Sequence, residues 1–193
     1  MAPPLDWAAL FGGAATNAIE IGTGNGIFLA SEAAKLPEIS FIGIERDLEF
    51  YYKMVRRVHE AGLANVRTTP TDAIDLLDDW IPERSVARIY CYFSDPWHKR
   101  RHAARRVLHP ANLPRLERVL IPGGELRFKT DVGYYFNLAV TALRKQPGWT
   151  IIESARLPPP DAGKGEVTSN FERKAREAGS EVWGLTAKYG LNH

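Results

Sequence analysis

The stretch Asn17–Gly26, NAIEIGTGNG, joins a short run rich in isoleucine to three closely spaced glycines, and a helical run opens at Ile27. The first half predicts a β-strand. Gly22, Gly24 and Gly26 let the backbone turn tightly and come close to a ligand, where a Cβ would obstruct the approach. A strand, a glycine turn and a helix in this order predict a ligand site at the end of the first strand of an α/β fold.

Strand and helix signals alternate along the rest of the chain. Strands are predicted at residues 40–45, 65–69, 86–93, 125–130, 149–153 and 182–189. Helical spacing of apolar residues occurs at Leu48, Tyr51, Tyr52 and Val55, between an N-cap at Asp47 and a stop at Gly62, and again at Tyr135, Leu138, Ala139 and Ala142. This alternation predicts an α/β protein with a doubly wound, mostly parallel Rossmann-like sheet and helices on both faces. Ligands of such sheets bind at the carboxyl ends of the strands.

The composition is that of an ordinary globular protein. The chain has 193 residues, 45% of them hydrophobic, and we expect one domain over residues 1–193, with residues 1–16 as a short N-terminal lead-in. No apolar run reaches the ~18 residues of a membrane span, and the start lacks the basic residues of a secretory signal, which predicts a cytoplasmic protein. The single cysteine, Cys91, excludes an internal disulfide, and the five histidines lack the spacing of a metal site.

Charge is unevenly distributed. The formal net charge is only +2, but residues 96–118 contain seven Lys and Arg against one acid, so the rest of the chain is net negative. A polarised molecule of this kind suits a polyanionic partner at one face. The alternative is a solvated helix face without a partner.

Three acids accompany the glycine turn at positions typical of a nucleoside site. Glu45 ends the second strand about twenty residues after the glycines, where a carboxylate accepts ribose hydroxyls. Asp72 opens a predicted helix after the third strand, and it either accepts the adenine amino group or is only an N-cap. Glu20 would repel a phosphate and attract a cation. The G-x-G-x-G spacing with these acids therefore favours S-adenosylmethionine, which carries sulfonium and ammonium groups, over NAD.

The fourth predicted strand ends at the sequence DPWHKRRH, residues 95–102. Pro96 stops the strand and holds Asp95 at its tip, and the basic run comes directly after it. An acid followed by cations suits RNA, because cations hold phosphates while the carboxylate faces a base. The alternative is that Asp95 only caps the turn.

Five motifs in order resemble those of the bacterial tRNA (guanine-N7-)-methyltransferases. They are ExGxGxG from Glu20, GIE ending at Glu45, FxDPWHKxRH from Phe93, FKTD ending at Asp131 and SNFE ending at Glu172. The resemblance covers residues 18–189. Residues 95–102 are its most specific part, because many methyltransferases share the glycine loop.

The resemblance implies roles for individual residues. It implies that S-adenosylmethionine is bound at the glycine loop and by Glu20, Glu45, Asp72 and Asp95. Asp95 also lies at the catalytic centre of the implied enzyme. Contacts to the RNA substrate are implied for Lys99, Asp131, Ser169, Phe171 and Glu172. The implied partner is tRNA, with a guanine of the variable loop as the target, and no membrane or obligatory protein partner is implied.

The chemistry of guanine N7 suits these residues. N7 has a lone pair and no proton, so methyl transfer needs alignment at ~3–3.5 Å rather than a general base, a metal or a covalent cysteine. Asp95 and Asp131 would stabilise the positive charge that passes to the guanine ring, or hold its N1 and exocyclic amino groups. Trp97 either stacks on the extruded base or belongs to the core.

Other interpretations stay open at several of these positions. Asp131 is as well placed to cap the helix after it. Lys99 is alternatively a plain surface lysine, and Glu172 alternatively faces water on a surface helix. Ser169 stands where the family usually has threonine, and Thr168 lies one residue earlier, so the register of this motif is open.

The competing functions are methylation of another RNA base or of a small molecule, and a tRNA-binding module without turnover. Amino-group methylation usually shows a second proline after Pro96, where this chain has Trp97. Methylation of a pyrimidine carbon needs a nucleophilic cysteine, and Cys91 lies inside a predicted strand. The first cation of the chain is Lys35, whereas the family has a longer basic N-terminal segment, so we expect modest, salt-sensitive tRNA binding.

Overall fold

The computed structural model describes residues 4–13, 16–159 and 168–191. The helices are α1 (Trp7–Phe11), α2 (Ile27–Lys35), α3 (Leu48–Glu60), α4 (Ala73–Asp79), α5 (Leu113–Val119), α6 (Gly133–Lys145) and α7 (Asn170–Glu177). The strands are β1 (Thr16–Ile21), β2 (Ile39–Ile44), β3 (Val66–Thr69), β4 (Val86–Tyr92), β5 (Leu120–Thr130), β6 (Trp149–Leu157) and β7 (Val182–Tyr189). Among the described residues, none of these helices combines the length and apolarity required to cross a bilayer.

The strands form one sheet in the order β3-β2-β1-β4-β5-β7-β6. All neighbours from β3 to β5 pair in parallel, whereas β7 runs antiparallel to both β5 and β6. The chain crosses from the edge strand β3 back to β4, beside β1, so the direction of winding reverses between β1 and β4. Such a reversal creates a crevice at the carboxyl ends of the strands, where ligands bind.

Two apolar clusters pack on opposite faces of the sheet. Successive residues of one strand enter different clusters, as Ala18 and Ile19 do in β1, because side chains alternate across a strand. Phe28 of α2 and Met54 of α3 pack on one face, and α4, α5 and α6 supply the other. The predicted doubly wound, mostly parallel sheet with helices on both faces is confirmed.

Two strands extend beyond their predicted bounds. β5 begins at Leu120 rather than at residue 125 and runs through Pro122-Gly123-Gly124, a sequence that predicts a turn before the strand. A register shift opposite residues 86–88 of β4 accommodates the extra residues. β6 continues to Leu157 because β7 pairs with it along its whole length.

The predicted apolar faces of α3 and α6 are partly wrong. In α3, Leu48 and Tyr52 are 56% and 66% exposed, and the buried residue is Met54. The glycine loop meets this helix at Met54, since Thr23 Oγ1 donates to Met54 Sδ at 2.9 Å. In α6, Leu138 is 47% exposed while its neighbours at helical spacing are buried. The predicted cap Asp47 does accept hydrogen bonds from the first turn of α3.

The described part of the lead-in is structured. Asp6 caps α1, and Trp7 is buried in the larger apolar cluster. The Trp7 indole donates to Ser85 Oγ at 3.2 Å, and the Leu5 amide donates to the Trp80 carbonyl at 2.8 Å. The sequence predicts no element here, because a five-residue helix is too short for a periodic signal.

Candidate active site

The carboxyl ends of β1 to β4 surround an open cleft of about 1350 Å³. Pockets for one small ligand commonly measure ~300–1000 Å³, so the cleft has room for a second group beside the first. Its charged lining residues are the acids Glu45, Asp47, Glu49, Asp72, Asp75 and Asp95 and the arginines Arg46, Arg105 and Arg115. Acids outnumber cations among these described residues, so the cleft attracts a positively charged ligand.

The glycine loop requires its glycines for two different reasons. Gly22, Gly24 and Gly26 have φ angles of 73°, 57° and 73°, in the left-handed region that residues with a Cβ avoid. A Cβ at Gly24 would lie 2.6 Å from the Phe171 ring, and a Cβ at Gly26 would lie 2.9 Å from Met54. A Cβ at Gly22 would meet nothing within 4 Å. The loop is therefore packed against α7 and α3, and only Gly22 leaves open space.

Glu45 ties the end of β2 to the glycine loop. Its Oε2 accepts a hydrogen bond from the Gly24 amide at 2.8 Å, and its Oε1 accepts one from the Asp47 amide at 2.9 Å. From α3, Arg57 Nε donates to the Asn25 carbonyl at 3.0 Å. The predicted strand-end carboxylate therefore faces the cleft from a fixed position.

Glu20 lies in β1, two residues before the loop, and is 2% exposed. Burial, with Glu32 and Glu45 nearby, raises the pKa of its carboxyl well above the ordinary value. Among the described residues, Glu20 Oε2 has no hydrogen-bond partner. A buried polar atom without a partner costs stability, so it marks a place where a ligand would supply the missing donor.

The third and fourth strand ends are bridged by a cation, Arg46, that the sequence motifs do not indicate. Asp72 is the N-cap of α4, since its Oδ1 accepts from the Ile74 amide at 2.9 Å, and its Oδ2 lies 3.5 Å from Arg46 Nη1. Asp95 Oδ2 lies 3.7 Å from Arg46 Nη2. Asp72 therefore caps its helix and also faces the cleft. The available signal for Arg46 is its position directly after the strand-end acid Glu45.

The turn after β4 is held by side-chain hydrogen bonds to its backbone carbonyls. Arg106, 9% exposed, donates from Nε to the Pro96 carbonyl at 2.6 Å and from Nη2 to the Trp97 carbonyl at 2.9 Å. The Tyr134 hydroxyl donates to the same Pro96 carbonyl at 3.1 Å. Trp97 has a φ of 43°, a strained value that persists only where the surroundings fix it.

Trp97 lies at the wall of the cleft and not in the core. Its ring is half-buried, and the guanidinium carbons of Arg46 and Arg105 lie over it at 5.2 Å and 5.1 Å from the centroid. Cation–π contacts at this distance are attractive. The alternative that Trp97 is a core residue is wrong, because Trp97 is only half-buried and lines the cleft.

The cations of the basic segment 96–118 are of two kinds, those that bind other parts of the fold and those that are exposed. Arg106 holds the turn, Arg115 Nε pairs with Asp78 at 2.8 Å, and Arg118 donates to the carbonyls of Leu77 and Ile81. The side chains of Lys99, Arg101 and Arg105 are exposed. The expectation that the whole segment faces a polyanion is therefore too broad, since several of its cations hold the fold.

Lys99 and Asp131 lie outside the cleft wall. Lys99 is exposed at the start of the short 3-10 helix Arg100–Arg105. Asp131 is half-buried directly after β5, but α6 starts at Gly133 with Val132 in the cap position and no side-chain cap. The alternative that Asp131 caps this helix is wrong, because Thr130 Oγ1 accepts from the Val132 amide and sets the turn.

The SNFE motif forms the start of α7. Ser169 is the N-cap, since its Oγ accepts from the Glu172 amide at 3.1 Å, so Ser169 and not Thr168 supplies the hydroxyl that begins the helix. Phe171 lines the cleft. Glu172 is 2% exposed and pairs with Lys129 and Arg176, so the alternative that it faces water is wrong. Residues 160–167, before this motif, lie outside the described part of the chain.

The cleft thus brings together five of the sequence-predicted site residues, Gly22, Glu45, Asp72, Asp95 and Phe171. The others surround it without contributing to its wall: Glu20, Gly24, Gly26, Lys99, Asp131, Ser169 and Glu172. Among the described residues, no group of three or more His, Cys, Asp or Glu side chains is arranged to hold a metal ion.

Comparisons with known proteins agree with the motifs. A family model described as "Putative methyltransferase" matches residues 14–185. The chain is 33% identical over 171 residues to a tRNA (guanine-N(7)-)-methyltransferase of Staphylococcus epidermidis, covering 89% of this chain and 79% of that protein. It is 36% identical over 183 residues to the Hydrogenovibrio crunogenus protein of the same name, covering 94% and 75%.

The fold is also similar to that of the 16S rRNA methyltransferase KamB. The TM-score is 0.71 at 15% sequence identity, covering 96% of this chain and 93% of that chain. At this identity the similarity concerns the fold alone. The two sequence relatives, by contrast, are matched over most of their own length, and the family model's range, residues 14–185, contains all five motifs. The chain therefore belongs to the tRNA (guanine-N7-)-methyltransferase family.

Proposed function

We propose that the protein transfers a methyl group from S-adenosylmethionine to N7 of a guanine in the variable loop of tRNA. The observation that carries this proposal is the acidic cleft at four strand ends, in a chain of this family, with the glycine loop at one end and the Asp95–Trp97 turn at the other. The size of the cleft supports two adjacent ligands, a nucleoside cofactor and a nucleobase.

The residues present fit S-adenosylmethionine. The partnerless Oε2 of Glu20 would accept a hydrogen bond from an ammonium group, which is also the charge that a buried carboxylate requires. Glu45 would accept from the ribose hydroxyls, and Asp72 Oδ2, free of its capping bond, from the adenine amino group. When bound, the cofactor supplies an electrophilic methyl group on a positively charged sulfur.

The residues of the β4 turn would position the guanine. Asp95 stands at the strand tip, where its carboxylate would favour the positive charge that develops on the base. Two planar guanidinium groups lie over the Trp97 ring. The same ring would stack on the planar guanine base. Lys99, which follows this turn, and Asp131, which follows the neighbouring strand β5, would contact the RNA. N7 has no proton to lose, so alignment is the main requirement.

The properties of Cys91 argue against carbon methylation through a cysteine. Its side chain is fully buried in β4, and burial raises the pKa of the thiol to about 12. A thiol of this kind is not a nucleophile at neutral pH. The chemistry of an unprotonated ring nitrogen, which needs no such nucleophile, agrees better with the site.

The proposal extends to the setting of the reaction. A tRNA substrate implies an enzyme that works in the cytoplasm, with one methyltransferase domain over residues 1–193 and without an obligatory protein partner. The exposed cations at Lys99, Arg101 and Arg105 support an RNA-facing surface beside the cleft.

A methylation assay with an atom-level control tests the proposal. The protein is incubated with methyl-labelled S-adenosylmethionine and tRNA transcripts that carry guanine or 7-deazaguanine at the target. We expect label only in the guanine transcript, at a position that N7-methylguanine-specific cleavage maps to the variable loop. Equal methylation of the deaza transcript would refute N7 as the acceptor. Tight tRNA binding with neither cofactor binding nor methyl transfer would favour the RNA-binding module.

A further inference from the structure

The carboxylate of Glu172 is fully occupied by protein cations. Its Oε2 lies 3.1 Å from Lys129 Nζ, and its Oε1 accepts from Arg176 Nη2 at 2.9 Å and Nε at 3.1 Å. Glu172 is 2% exposed, and Lys129 and Arg176 are 24% and 18% exposed. A buried carboxylate paired with two cations is expensive to disturb, because removing one partner leaves charge uncompensated.

The Lys129–Glu172 pair of this cluster joins α7 to the sheet. Lys129 belongs to β5, and its ammonium also lies 5.0 Å from the centroid of the Tyr92 ring in β4. The helix itself buries only two residues, Glu172 and Ala175. Alanine buries little apolar surface, so hydrophobic packing alone holds such a helix weakly. The Lys129–Glu172 ion pair therefore joins α7 to β5, while Arg176, four residues after Glu172 on the same helix, holds the Glu172 carboxylate from within α7.

Phe171, beside Glu172, turns to the cofactor end of the cleft. The ring packs so closely on Gly24 that a Cβ there would lie 2.6 Å from it, and it lies 5.7 Å from the ring of Phe50 at the start of α3. The Gly24 amide donates to Glu45, the expected ribose ligand. Among the aromatic pairs of the described residues, Phe171 pairs with Phe50, and Trp97 pairs with His102.

We propose that Phe171 forms the wall of the cofactor site over the glycine loop, and that Lys129 and Arg176 are positioning residues that hold it there through Glu172. The SNFE segment then acts on the cofactor, whereas the family resemblance implies contacts to RNA. This inference rests on the proposed function in taking S-adenosylmethionine as the ligand. Arg176 and Lys129 touch no reacting atom and act only through α7.

Calorimetric binding of S-adenosylhomocysteine, without RNA, tests the inference on the intact chain. We expect Phe171→Ala and Lys129→Met each to raise the Kd by about tenfold, the equivalent of ~1.4 kcal/mol. Because Lys129 acts through Phe171, the double variant should bind no more weakly than Phe171→Ala alone. In methylation assays Phe171→Ala should raise the KM for S-adenosylmethionine and leave the KM for tRNA unchanged.

Arg173→Met is the matched control. Arg173 is on the same helix, is 53% exposed and pairs with Glu177 at 2.6 Å, so its loss should leave the Kd unchanged. Phe171 is only half-buried, so Phe171→Ala tests the wall even if Lys129→Met unfolds. An unchanged Kd in Phe171→Ala, a change in the tRNA KM alone, or additive losses in the double variant would each overturn the inference. No binding by the unsubstituted protein would instead overturn the proposed function, and the inference with it.

Discussion

Gly24→Ala measures how closely α7 packs on the glycine loop. Two separate losses in the free energy of unfolding are expected. An alanine at a φ of 57° loses ~1–2 kcal/mol to the left-handed conformation. Its Cβ would lie 2.6 Å from Phe171 Cε2, whereas carbon atoms pack at ~3.5–4.0 Å, so the ring must move by about 1 Å. Overpacking of this kind costs ~1–3 kcal/mol.

Gly22→Ala separates the two costs. Gly22 has a φ of 73°, but a Cβ there meets nothing within 4 Å, so only the conformational cost of ~1–2 kcal/mol remains. Urea titration should give a free energy of unfolding about 1–3 kcal/mol lower for Gly24→Ala than for Gly22→Ala. In a Phe171→Ala background the two glycine substitutions should cost the same. Equal stabilities of the two single variants would refute the close packing of α7 on the loop.

Three further predictions concern the acids and the cations. Asp95→Ala should abolish turnover but lower stability by less than ~1 kcal/mol, because its carboxylate is 69% exposed and its ion pair in the described part of the chain is with a half-exposed arginine. Methylation and melting of one preparation check both. The raised pKa of Glu20 means that the folded state binds the proton of this carboxyl more tightly than the unfolded state does. The stability that the bound proton contributes is therefore lost as pH rises through the folded pKa. Because the ionised form of Glu20 is the stronger partner for an ammonium group, S-adenosylhomocysteine affinity of the unsubstituted protein should rise as pH rises through the folded pKa. Glu20→Gln should remove both this rise and the loss of stability in melting curves, and a retained rise of affinity would contradict this role. Lys99→Ala and Arg101→Ala should each reduce the salt slope of tRNA binding by about one, whereas Arg115→Ala, whose cation is already paired, should not.

The ends of the strands were predictable because they depend on local sequence. β-branched and aromatic runs define β1 to β4, and the residues directly after each of these strands lie at the cleft in any doubly wound sheet. Glu45, Asp72 and Asp95 therefore lie where the sequence predicts. Helix faces were less predictable, because a flexible methionine, Met54, and not a larger aromatic residue, fills the space beside the glycine loop.

Long-range partners account for most of the site that the sequence alone does not predict. A run of basic residues predicts a solvated surface, but Arg118 is held by carbonyls 37 and 41 residues away. The local sequence around Glu172 predicts a surface acid, because its partner Lys129 lies 43 residues earlier in the chain. Such pairings depend on the completed sheet, and no local pattern of the sequence contains them.

The position of β7 determines when the sheet can be completed during synthesis. β6 pairs only with β7, and β7 connects it to β5, so β6 has no hydrogen-bonding partner until the later strand has been made. At roughly 5–20 residues per second, the ~32 residues between the ends of the two strands take about 2–6 s to synthesise. During that time β6, with its exposed Ile152, and the β5 edge are open to other chains on the ribosome. Nascent chains stalled before residue 182 should therefore be more prone to aggregation and proteolysis than those stalled after residue 189 has emerged.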